Sequence, residues 1–115
     1  MKIIFILLIF IFPNIVSAKN LNFTKIVNLK SPWGSTFIDD NNILITEKSG
    51  AIKLINIINK NIDIINHNIN FLEHGQGGLL DVLFNENFVY ISYSENRGSG
   101  KSSTCLLYTS PSPRD

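Results

Sequence analysis

The 115 residues hold ten lysines and arginines against nine acidic residues, a formal net charge of +1, and 44% are hydrophobic. So even a balance gives nucleic acid or an anionic membrane surface no charge to hold. At the N-terminus Lys2 is followed by an apolar run over 3–12, which Pro13 and Asn14 break. Val16-Ser17-Ala18 then places small residues at the −3 and −1 positions of a cleavage site. This layout predicts a secretory signal peptide over 1–18, cut after Ala18. The run is too short for a stop-transfer helix. The mature protein is therefore expected in the periplasm or outside the cell, with no stable membrane anchor after cleavage.

After Ala18 no apolar face is sustained at helical spacing. Short apolar or alternating runs are instead set apart by turn residues, which predicts an all-β chain. The runs fall at 33–38, 43–47, 51–55 and 62–65. Asp39 to Asn42, Lys48 to Gly50 and Asn59 to Asn61 are their turns. Asn and Asp suit such turns because their side chains bond nearby backbone and tolerate left-handed conformations. A longer loop over 66–78 crosses to a second set, at 79–84 and 88–94, joined at Asn85-Glu86-Asn87. A polar loop is expected over 95–103. Four strands, a crossing loop and two more strands match the cadence of propeller blades. A β-sandwich has strands at the same spacing.

Residues 105–115 read CLLYTSPSPRD, an abrupt change from Ile/Asn/Lys-rich to Ser/Pro/Arg-rich sequence. The peptide resembles one reading frame of a transposase end and sequencing-library adapter, the alternative being a natural disordered Pro/Ser tail. It is therefore expected to be foreign to the gene, with the native segment ending at Thr104. The single cysteine, Cys105, then supports no redox or metal argument.

Gly75-Gln76-Gly77-Gly78 is the most distinctive stretch. Three glycines around one glutamine make a tight turn at the mouth of a strand, with little to shield the backbone. It is no phosphate loop, because no Lys-Ser/Thr follows. His67 and His74 lie in the crossing loop and read as solvated side chains, since a metal site needs ligands the sequence does not supply. Asp81, inside a strand, reads as a loop anchor. Asp39-Asp40 reads as a turn, and Trp33 as packing between blades. Asn22-Phe23-Thr24 spells a glycosylation sequon.

Four blocks carry a resemblance: Ser31-Pro32-Trp33-Gly34, the stretch NILITEKSGAI from Asn42, GQGGLLDV from Gly75, and VYISYSE from Val89. In this order and spacing they resemble the N-terminal part of the glucose/sorbosone dehydrogenase family of soluble quinoprotein sugar dehydrogenases. The resemblance covers 27–95. It departs from the family in the short 85–87 hairpin.

The resemblance implies a six-bladed β-propeller, of which residues 19–104 would form about one and a half blades. It implies pyrroloquinoline quinone (PQQ) and calcium as cofactors. It also implies oxidation of the anomeric carbon of aldose sugars to lactones, with electrons passing to an unknown acceptor. Gln76 matches the family's sugar-contacting glutamine, and its amide can both donate to and accept from a hydroxyl. The family's catalytic histidine, quinone-binding cations and calcium ligands have no counterpart before Thr104, so the chain by itself is expected to be inactive. A lactonase-like or a non-catalytic ligand-binding propeller stands as the alternative, because one fold hosts many chemistries.

Overall fold

The computed structural model describes residues 19–109. The signal peptide expected over 1–18 and residues 110–115 of the tail lie outside the described residues. Among the described residues the chain is all β. The strands are β1 (Pro32–Phe37), β2 (Asn42–Glu47), β3 (Ile52–Asn56), β4 (Ile62–Ile65), β5 (Leu79–Asn85), β6 (Phe88–Asn96) and β7 (Ser102–Thr109). They form two antiparallel sheets, β1-β2-β3-β4 and β5-β6-β7.

Local chemistry makes each turn. Asp39 Oδ1 accepts hydrogen bonds from the backbone of Asn41 (2.8 Å) and Asn42 (2.9 Å) and closes the β1–β2 hairpin. Asn56 Oδ1 does the same for Ile58 (3.0 Å) and Asn59 (3.1 Å) after β3. Both are side chains replacing backbone acceptors, as Asx turns do. Between β5 and β6 the turn is two residues, Glu86 (φ 49°) and Asn87 (φ 66°). Two consecutive positive φ values define a type I′ turn, whose twist matches that of the strands.

The polar loop expected over 95–103 is shorter than its composition indicated. β6 runs on to Asn96 opposite Ser102, and Glu95 pairs with Ser103. Arg97 N donates to Lys101 O at 2.9 Å and closes a compact turn. β7 then takes up Cys105 to Thr109, the start of the compositionally distinct tail.

The core lies between the sheets. Leu44 and Ile52 of the first meet Leu79, Val82, Val89 and Ile91 of the second, and all six are buried. Each such side chain stabilises by about 1.5–3 kcal/mol. β1 and β5 are the strands in closest contact across this interface. Gly34 permits it: a Cβ there would stand 2.7 Å from Asp81 Cα and Val82 N.

The outer edge of β5 faces β1 and β2 and is satisfied by threonines. Phe84 N donates to Thr36 Oγ1 at 3.1 Å. The fully buried Thr46 hydroxyl donates to Leu80 O and accepts from Gly34 N at 3.2 Å. Hydroxyls thus cover a strand edge that would otherwise be buried with unpaired backbone.

Candidate functional site

The start of β1, the end of β2 and the start of β5 converge at one end of the two sheets. Both β1 and β5 carry a register irregularity there, between Pro32 and Gly34 and between Leu79 and Val82. Bulges of this kind re-aim side chains and are common beside binding sites. Asp81 lies in the second bulge. Its Oδ1 accepts from Val82 N at 2.9 Å and its backbone N donates to Ser92 Oγ at 3.0 Å. The sequence read Asp81 as a loop anchor, but its side chain bonds within the bulge of its own strand.

The glycine turn sits at the same end. Gly77 N donates to His74 O at 2.8 Å, and Lys48 Nζ donates to Gly75 O. Gly78 is buried at φ 149°, and a Cβ there would meet Lys48 O at 2.3 Å. Only glycine can pass that close. Ser94 N donates to Gly78 O at 2.9 Å, and Leu79 N to Lys48 O at 3.3 Å. The base of the turn is therefore bound to both sheets, and Gln76 is exposed at its tip.

The two histidines are not brought to a common site. His67 Nδ1 accepts from Ile69 N at 3.2 Å, while Nε2 faces Gly50 O. These partners fit the neutral tautomer with the proton on Nε2. His67 is exposed, as the sequence indicated, while also bonded within the crossing loop and to Gly50. His74 contributes its carbonyl to the glycine turn. Among the described residues no group of three His, Cys, Asp or Glu could hold a metal ion. Trp33 is half exposed at 49%.

The larger cleft, about 790 Å³, lies elsewhere between the sheets. Leu44, Leu54, Ile91 and Leu107 line it and Gln76 does not. Its walls are mainly apolar, with Asn66, His67, Asn68, Tyr108 and Thr109 as the polar part. A smaller hollow of about 300 Å³ lies against Asp81, Tyr90, Ser92 and Leu106.

Two features had no clear sequence signal. Glu47 is buried at 2% exposure, with Oε1 2.9 Å from Lys53 Nζ and 3.0 Å from Lys30 N. Lys48 read simply as a turn residue. Its side chain reaches across 27 residues of sequence to Gly75, which no local pattern encodes.

Two stacked antiparallel sheets, their first strands in contact and a loop turn at the starts of both, are consistent with part of a β-propeller. Comparison with known proteins gives the family. The glucose/sorbosone dehydrogenase family model matches residues 29–112. A solved glucose dehydrogenase superposes with a TM-score of 0.67 at 32% identity, covering 73% of this chain and 28% of that one. A crystal structure of glucose dehydrogenase gives 0.66 at 32% identity, covering 73% of this chain and 26% of that one. No curated protein matches. The chain belongs to the glucose/sorbosone dehydrogenase family, and it spans about a quarter of the length of these solved relatives.

Proposed function

We propose that this chain is the N-terminal part of a PQQ-dependent aldose sugar dehydrogenase, a six-bladed propeller of the periplasm or cell exterior. The reaction is oxidation of a sugar's anomeric carbon to a lactone, with electrons leaving through the quinone to an acceptor. The observation that carries this reading is Gln76, exposed at the tip of a turn whose base is bonded to both sheets. Its amide offers two donors and an acceptor to adjacent hydroxyls.

The described residues do not fit calcium, since they contain no three-ligand cluster. The cation nearest the turn, Lys48, is engaged with Gly75 O. In this reading the quinone and calcium ligands and the catalytic base belong to further sequence. This chain supplies sugar recognition.

The test is Gln76→Ala in the full-length protein. Loss of a hydroxyl contact removes about 1–3 kcal/mol of transition-state binding, lowering kcat/KM roughly 5- to 150-fold. The Tm stays constant, because the side chain is exposed. Unaltered kcat/KM across several aldoses removes Gln76 from the sugar site.

A further inference from the structure

We propose that Lys48 is the positioning residue for Gln76. This inference rests on the reading of Gln76 as a sugar contact.

Three of the four residues in the Gly75–Gly78 turn are glycines, the residue type with the most backbone freedom to lose. Left to itself, such a turn would present the glutamine in many directions. Lys48 restrains it from three sides. Its backbone N donates to Ser31 O at 2.9 Å, just before β1. Its backbone O accepts from Leu79 N at 3.3 Å, at the first residue of β5. Gly78 lies against that same carbonyl with no room for a side chain. The main chain of Lys48 is therefore pinned between the starts of the two strands. From this base its ammonium donates to Gly75 O.

That oxygen belongs to the peptide joining Gly75 to Gln76. A peptide unit is planar, so holding its oxygen orients the Gln76 amide nitrogen as well. The plane also contains the Gln76 Cα, so holding it fixes the point from which the side chain leaves the backbone. Gly77 N bonding to His74 O holds the other side of the turn. The ammonium bond is charge-assisted and stronger than a neutral one. A methionine could fill the same path without donating. An arginine keeps the charge and several donors but presents them as a planar fork.

The experiment uses the full-length protein and four variants: Lys48→Met, Lys48→Arg, Gln76→Ala and the Lys48→Met/Gln76→Ala double. Amide hydrogen exchange at Gly77 reads the order of the turn without any turnover. Sugar kinetics read the position of Gln76. With Lys48→Met, Gly77 exchange should speed up about tenfold and kcat/KM should fall about 3- to 10-fold. Lys48→Arg should recover a large part of both. In the Gln76→Ala background, Lys48→Met should add little further kinetic loss, because the residue it positions is gone. Unchanged Gly77 exchange in Lys48→Met overturns the proposal, and so do kinetic losses that simply multiply in the double variant. If Gln76→Ala is silent while Lys48→Met still loosens the turn, the restraint stands and the sugar-contact reading falls.

Discussion

Glu47 is a charged residue in a place charged residues seldom occupy. Its carboxylate, at the end of β2, is buried. Burial alone would raise its pKa. The hydrogen bonds from Lys53 and Lys30 N, with the positive charge of both lysines, outweigh burial and hold it below the ordinary value near 4.5. A carboxyl that is more acidic when folded stabilises the fold above its unfolded pKa. That contribution is lost as pH falls through the depressed folded value. Denaturation of the full-length protein should therefore show stability falling at pH values below about 4.5. Glu47→Gln should flatten that acid limb and lower stability at neutral pH. An acid limb unchanged by Glu47→Gln would place the pH dependence on other carboxylates.

At the scale of elements, the β5–β6 hairpin combines a good and a poor choice. Asn87 tolerates its left-handed conformation, whereas Glu86 at φ 49° pays for a shape that Asn adopts more readily. Glu86→Asn should raise stability by about 0.5–1 kcal/mol, read as a higher denaturant midpoint at constant slope. A lower midpoint would contradict the type I′ assignment. β7 shows a different rule. Its side chains are exposed except for the half-buried Cys105, and it is held by an eight-residue backbone register with β6. A backbone ladder accepts almost any sequence without proline, and the tail's prolines, Pro111 and Pro113, come after Thr109. Compositional foreignness and strand pairing are thus compatible in one segment.

Among the described residues as a whole, the interface between the sheets is a closed one around the core, with the cleft beside it, and apolar side chains elsewhere lie on open faces. Thr46 is central to the closed one. Thr46→Val keeps its volume but strands Gly34 N and Leu80 O, and should lower the stability of the full-length protein by about 1–3 kcal/mol in chemical denaturation. A neutral result would mean that water replaces the hydroxyl. On the open faces Phe37 is 57%, Ile64 67%, Leu83 56% and Tyr108 64% exposed. Apolar area of this extent seeks a partner or aggregates. A four-stranded blade takes about 40–45 residues and buries its faces only against its neighbours. Residues 19–115 expressed alone should melt broadly, bind a hydrophobic dye and reduce no electron acceptor with glucose when supplied with PQQ and calcium. A sharp transition would overturn the folding half of this expectation, and quinone-dependent turnover the catalytic half.

What the sequence determined by itself was local. Six of the seven strands were legible within about two residues, because period-two apolar runs and Asn, Asp and Gly turns are encoded by neighbours along the chain. The β4 run at 62–65 was placed without error. The glycine turn was visible for the same reason, and four ordered blocks sufficed for the family. The seventh strand was missed because its pairing comes from β6, not from its own pattern. Tertiary structure alone decided which face of each sheet is covered and where three polar groups went. Thr46 bonds across 34 residues to Leu80, Lys48 across 27 to Gly75, and Glu47 across 17 to Lys30. The Thr46 and Lys48 bonds form only once the second sheet and the loop leading into it lie against the first, and the Glu47 bond only once β1 and β2 have paired, because each joins groups far apart along the chain.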